Sequence, residues 1–134
     1  MSASLYIVAT PIGHLDDMSL RAIDVLRSVN LIAAEDTRHS SKLLRHFDIR
    51  TPLISYHDHS ETSDLEGMLK RLRAGETIAL ISDAGTPLVS DPGYKLVVAC
   101  HREQIPVVPI PGPSATITAL SAAGLPTDHF YFEG

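Results

Sequence analysis

Short apolar runs alternate with stretches of helical spacing along nearly the whole chain. Residues 5–9 are an apolar run, 19–28 repeat apolar positions through Leu20, Ile23, Val25 and Leu26, and 31–34 are apolar again. Apolar recurrence every three to four residues predicts a helix facing a core, and a short continuous run predicts a buried strand. The first third therefore predicts strand, helix, strand. A helical stretch at 41–47, an extended one at 52–56 and a helix at 63–73 follow, the last with Leu65, Met68, Leu69 and Leu72 at core spacing and Gly75 as its stop. After a β-branched strand at 77–81 come a helix at about 94–102, a strand at 107–110, and a helix opening near Ser114 and closing at Gly124.

Strict strand and helix alternation predicts an α/β fold: five parallel strands in a doubly wound sheet, with helices on both faces because each crossover is right-handed. Sheet order is not readable from this pattern alone. At 134 residues the chain suits a single domain, and neither an internal repeat nor an internal linker interrupts it. The segment 127–134 brings Phe130, Tyr131 and Phe132 together. It reads either as a sixth strand or ordered tail, or as an apolar end that expects a continuation.

Charge narrows the class of partner. The formal net charge is −5, whereas a domain binding RNA alone is more often basic, so a nucleic-acid role requires a local basic patch or a further domain. Cys100 is the single cysteine, which excludes an intrachain disulfide, and its apolar surroundings read as core packing. No apolar run approaches the ~20 residues of a membrane span and the first ten residues lack a signal-peptide pattern, so the expected location is cytoplasmic.

Candidate chemistry gathers in loops that a parallel sheet would place at one edge, where open α/β sheets bind ligands. The most informative is 81–93, Ile-Ser-Asp-Ala-Gly-Thr-Pro-Leu-Val-Ser-Asp-Pro-Gly, in which glycine permits close backbone approach and unpaired amides can donate to a ligand. A tight connection without a ligand is the plain alternative. Thr10-Pro-Ile-Gly-His14 and Pro109-Ile-Pro-Gly-Pro-Ser114 are the companion loops, and Ser114 and Thr116 offer hydroxyls near a helix start, where capping is their ordinary role. There is neither a Gly-x-Gly-x-x-Gly after the first strand nor a P-loop, so the expected ligand lacks a pyrophosphate and suits an adenosyl compound with an amino-acid tail.

Two polar clusters remain. Glu35-Asp-Thr-Arg-His39 follows the second strand and reads either as residues facing a substrate cleft or as a helix cap at Asp36 or Thr37 with Arg38 solvated. In His57-Asp-His59 the two histidines share a face if extended, yet no third ligand is evident, so no metal is expected.

Four stretches together resemble one family: Thr10-Pro-Ile-Gly-His-Leu-Asp-Asp-Met-Ser-Leu-Arg-Ala22, Ala33-Ala-Glu-Asp-Thr-Arg38, Ser82-Asp-Ala-Gly-Thr-Pro-Leu-Val-Ser-Asp-Pro-Gly93 and Pro111-Gly-Pro-Ser-Ala115. The chain is similar to the ribosomal RNA small subunit methyltransferase I family, within the tetrapyrrole methylase superfamily. The likeness spans 5–134, with Ala123-Gly-Leu-Pro126 included; His14 and Ser60 stand where that family commonly has asparagine. It implies a three-layer α/β/α lobe with sheet order 3-2-4-1-5. It also implies that residues 1–134 form the N-terminal, cofactor-binding lobe of a two-lobe homodimeric enzyme whose C-terminal lobe is absent from this chain.

The activity implied is S-adenosylmethionine-dependent 2′-O-methylation of a cytidine ribose in the decoding region of 16S rRNA, in the small ribosomal subunit. Pro11, Ile12, Ala84, Gly85, Thr86, Val89, Ser114 and Ala115 would contact the cofactor. Methyl transfer from a sulfonium is mainly a matter of alignment, but a ribose hydroxyl must lose a proton. Glu35, Asp36 and His57 are the candidate acceptors, and Arg38 is the candidate for positioning a phosphate. Two alternatives stay open: a C-methyltransferase of the same fold acting on a precorrin- or uroporphyrinogen-type ring, and an isolated non-catalytic binding or dimerisation lobe.

Overall fold

The computed structural model describes residues 2–56, 62–88 and 93–134. Five parallel strands, β1 (Ser4–Val8), β2 (Leu31–Ala34), β3 (Leu53–Ser55), β4 (Thr77–Leu80) and β5 (Val107–Ile110), form one sheet in the order β3-β2-β4-β1-β5. Tyr6 lies opposite Ala79 on one side and Val108 on the other, and Ile78 lies between Leu5 and Leu31. The helices are α1 (Leu20–Ser28), α2 (Thr37–His46), α3 (Thr62–Arg73), α4 (Tyr94–Arg102) and α5 (Ala115–Ala122), with a 3-10 turn at Leu15–Asp17.

Period-two alternation divides the core between the two faces of the sheet. Val8, Ile32, Ala34, Ala79 and Ile81 pack with Ala22 and Leu26 of α1 and Leu43 and Leu44 of α2. Leu5, Ile7, Leu31, Ala33, Ile78 and Leu80 face Met68, Leu69 and Leu72 of α3 and Leu96 and Cys100 of α4. β2 and β4 are buried along their full length, as parallel strands covered on both faces should be. Helix ends follow local chemistry: Ser19 accepts the Ala22 amide at 3.0 Å, and Gly75, at φ +95°, donates to Leu72 O as α3 closes.

Most helix and strand boundaries fall within one or two residues of those predicted from spacing, and α2 is the exception. Its apolar spacing predicts 41–47, whereas the helix begins at Thr37 because Asp36 Oδ1 accepts the amides of Arg38 and His39 at 3.0 and 3.3 Å. The first turn of α2 is polar, so apolar periodicity could not report it. No sixth strand forms among the described residues, and 123–134 carry only bends and irregular backbone. Helix α5 buries none of its residues, and Ile117, Leu125, Phe130, Tyr131 and Phe132 are exposed.

Leu26 is fully buried under the sheet, so Leu26→Ala is expected to reduce stability by about 2–5 kcal/mol through lost burial and a residual cavity, read as a lower urea midpoint at unchanged slope. Burial, with Glu103 as a smaller contributor, pushes the Cys100 thiol up to about 11. Cys100 should therefore resist a thiol reagent such as DTNB at pH 8 in the native protein and react at once when urea unfolds it.

Candidate functional site

The loops after β1, β4 and β5 leave the same edge of the sheet and are tied together. Thr10 and Gly85 exchange two backbone hydrogen bonds, each 3.0 Å, forming an isolated antiparallel bridge across the parallel sheet's edge. The Thr10 hydroxyl donates to Ser82 O at 3.3 Å, and Ser82 Oγ donates to Ala84 O and Gly85 O at 3.0 and 3.1 Å. Thr86 Oγ1 donates to Pro113 O at 3.2 Å, which couples the β4 and β5 loops. Thr10, Ser82 and Pro87 are buried, so this frame is a packed unit.

Gly85 holds the centre of the frame. Its φ of +78° is left-handed, and a Cβ there would stand 3.3 Å from Ile12 Cγ2 and 3.6 Å from Pro113 O, so a side chain would be strained and would crowd both neighbouring loops. The Gly85 amide is bound to Thr10 O, so the amides free to meet a ligand in this turn are others. Leu88 also sits at φ +83°, a conformation rare for a branched side chain and found where surrounding structure imposes it.

Two cavities flank this frame. One, of about 600 Å³, is lined by Ile12, Ala84, Gly85, Thr86, Ser114, Ala115, Thr116, Ile117, Phe130 and Phe132. Among these residues there is no charged side chain: hydroxyls from Thr86, Ser114 and Thr116 face a space otherwise bounded by apolar groups. The other, of about 430 Å³, is lined by residues 10–15, by His39, Ser40, Lys42 and Leu43 of α2, and by Ser82, Asp83 and Ala84. Ile12 and Ala84 belong to both, so the cavities adjoin along that pair.

Of the sequence candidates for cofactor contact, Ile12, Ala84, Gly85, Thr86, Ser114 and Ala115 converge on the uncharged cavity, and Pro11 lines its neighbour. Val89 and His57 lie outside the described residues, as do Asp58, His59 and Ser60. Glu35 and Asp36, at the start of α2, line neither cavity. Asp36 is the α2 cap, and the amides of His39 and then Arg38 hold its carboxyl below the ordinary value, which makes it a weaker proton acceptor. Arg38 faces a third, more open groove on the far side of α2.

Of the polar cluster 35–39, His39 is the residue that lines the second cavity, and Ser40 is the one that sequence reasoning passed over. His39 Nε2 lies 2.9 Å from Asp83 O; a carbonyl only accepts, so Nε2 carries the hydrogen, and in the neutral ring the lone pair is on Nδ1. His14 is the reverse case, since its Nδ1 accepts the Asp16 amide at 3.2 Å. Ser40 is buried, lines the second cavity, and its hydroxyl has no partner among the described residues. A buried hydroxyl without a partner costs free energy, and Ser40 Oγ itself is sealed from solvent. The Phe130 and Phe132 contributions were equally hidden, because nothing local ties that segment to the α5 start.

Residues 4–132 match the tetrapyrrole (corrin/porphyrin) methylases. Ribosomal RNA small subunit methyltransferase I of Synechocystis sp. is 59% identical over 130 residues, which cover 97% of this chain and 47% of that protein. The protein of the same name from Pseudomonas aeruginosa is 59% identical over 135 residues, covering 100% and 48%. The chain thus spans about half the length of these curated relatives. Among solved structures, uroporphyrin-III-C-methyltransferase from Thermus thermophilus superposes with a TM-score of 0.71 at 25% identity, covering 96% of this chain and 56% of that one. Cobalt precorrin-4 methyltransferase shares the fold at 0.65 and 18% identity, with coverage of 90% and 50%.

Because the Asp36 carboxyl titrates below the ordinary value of 3.8, its cap stabilises the fold above that value and is lost as pH falls through the lowered one. Asp36→Ala is therefore expected to lower the thermal midpoint at pH 7, with the gap to the parent closing in acid below 3.8. Melting curves across that range check the sign.

Proposed function

The chain belongs to the tetrapyrrole (corrin/porphyrin) methylase family, and we propose that it is the N-terminal cofactor-binding lobe of a two-lobe, S-adenosylmethionine-dependent methyltransferase. Its acceptor is the ribose 2′-hydroxyl of a cytidine in the decoding region of small-subunit rRNA, and the complete enzyme works in the cytoplasm as a homodimer. The observation that carries this reading is the pair of adjoining cavities sharing Ile12 and Ala84. Methyl transfer needs a cofactor site and an acceptor site in contact. Identities of 59% to rRNA methyltransferases, against 25% or less to the tetrapyrrole enzymes described above, favour RNA as the acceptor.

The uncharged cavity suits the cofactor. S-adenosylmethionine carries no phosphate, and no lysine or arginine lines this space. Thr116 offers a hydroxyl for ribose or amino-acid groups, Ser114 can still donate beside its capping bond from the Ile117 amide, Thr86 Oγ1 can still accept, and Ile12, Ile117, Phe130 and Phe132 offer apolar surface for adenine. The amides of Ala84 and Thr86 have no backbone partner among the described residues, which leaves them as donors. When bound, the cofactor supplies an electrophilic methyl group. In this reading, Ile12 and Ala84 define the boundary across which acceptor and methyl are aligned.

The acceptor cavity contributes a polar edge. In this reading His39, with Nε2 held by Asp83 O, presents Nδ1 as the proton acceptor for the 2′-hydroxyl. Asp36 then acts as a positioning residue that fixes the first turn of α2, and Glu35 and His57 are the alternative acceptors. The exposed apolar residues of α5 and 125–132, beside the cofactor cavity, support a second lobe as the missing wall.

An NMR titration of the isotope-labelled chain with S-adenosylhomocysteine tests the cofactor assignment. The expected result is shifts at the amides of Gly85, Thr86, Ser114 and Ala115 with α3 and α4 unmoved, and a loss of those shifts in Gly85→Val. Saturable shifts confined to α3 and α4, or retained in full by Gly85→Val, would overturn the placement.

A further inference from the structure

The α2 helix borders the acceptor cavity with one face and a separate open groove with the other. Arg38, Lys42 and Arg45 recur at positions i, i+4 and i+7, and Arg50 joins them from the segment before β3. Together they line a groove of about 620 Å³ whose lining includes no aspartate or glutamate. These are four of the chain's 11 lysines and arginines, in a protein of net charge −5. A solvated helix face is the ordinary explanation for such a stripe, and three observations set this one apart.

First, the stripe is only sparsely neutralised. Among the described residues Arg38, Lys42 and Arg45 have no acidic partner within ion-pair distance, although Arg38 feels the Asp36 carboxylate at longer range, and only Arg50 has an ion pair, with Asp48 at 3.3 Å and both side chains exposed. The arginines of α3 differ: Arg71 pairs with Glu76, and Arg73 with Glu66 and Glu103. Like charges at i, i+4 destabilise a helix, so a sparsely neutralised stripe is a cost that an anionic ligand would remove. Second, spacing matches a strand. The rise from Arg38 to Arg45 is about 10 Å, and a stacked strand carries a phosphate every ~3.4 Å, so the stripe spans about three phosphates. Third, the groove adjoins the acceptor cavity at Lys42, which lines both.

We propose that this groove carries the phosphodiester backbone of the RNA strand flanking the reacting nucleotide, with Lys42 marking where the strand crosses α2 into the acceptor cavity. The proposal rests on the methyltransferase reading above and adds to it the path of the substrate. It also answers the charge problem of an acidic chain with an RNA substrate: the positive field is concentrated on one helix face instead of being spread over the surface.

Fluorescence anisotropy of a short labelled single-stranded RNA, measured at several salt concentrations against the parent chain, R45Q/R50Q and K70Q/K95Q, tests it. Both double variants remove two positive charges, but Lys70 and Lys95 lie on α3 and α4, on the opposite layer. Each phosphate contact contributes ~0.7 to the slope of log K against log salt. R45Q/R50Q should therefore flatten the slope by about 1.4 and bind several-fold more weakly, while K70Q/K95Q follows the parent. Absence of RNA binding by the parent, equal losses in both variants, or competition by polyglutamate as strong as by RNA at equal charge would each overturn the proposal. Amide shifts with S-adenosylhomocysteine, recorded on R45Q/R50Q, separate the two readings. Retained shifts with an unchanged RNA slope reject the groove alone, and absent shifts with a flattened slope reject the cofactor assignment alone.

Discussion

Two backbone hydrogen bonds between Thr10 and Gly85 hold this edge of the molecule together. Parallel strands β1 and β4 diverge into loops as soon as their ladder ends, and without a cross-link each loop would be ordered by its own turns alone. The bridge extends the pairing one step beyond the sheet, in the antiparallel sense, and requires the left-handed backbone that glycine adopts without penalty. Through it the β1 loop is fixed against the β4 loop. Thr86 then fixes the β5 loop, and His39 brings in α2. Four segments distant in sequence are thereby set around two cavities that share a wall.

The electrostatics of the two faces of α2 differ as sharply as their shapes. Towards the frame, the helix offers His39 and the buried Ser40 to a cavity whose neighbour is uncharged. Away from it, four cations gather with one acidic partner among them. A single helix can do this because positions 38, 42 and 45 fall on one stripe and 39, 40 and 43 on the next. Lys42 stands at the border of both. The cap at Asp36 sets the phase of that division, since it decides where the first turn begins.

Element types and most boundaries were legible because core burial imposes its period on the sequence: Leu31-Ile-Ala-Ala34 and Leu65 to Leu72 each point to one structure. The early start of α2 was not, because a side-chain cap and polar residues set it without an apolar signature. The residues around the uncharged cavity were legible as loop chemistry and by resemblance. The placement of Ser40 and Phe130 was not, since each depends on contacts between segments that sequence spacing does not relate.

The sequence by itself determined an alternating α/β chain, its buried strands, three Gly- and Pro-rich loops and the absence of a phosphate-binding fingerprint. Those follow from local rules of periodicity and backbone freedom. Tertiary structure alone decided that Gly85 gives its amide to Thr10, that Asp36 serves the helix, that His39 is held by a carbonyl of the β4 loop, and that the cations of α2 form a groove adjoining the second cavity. The physical reason is that a hydrogen-bond donor or a charge has several possible partners along the chain, and only packing brings one of them within reach.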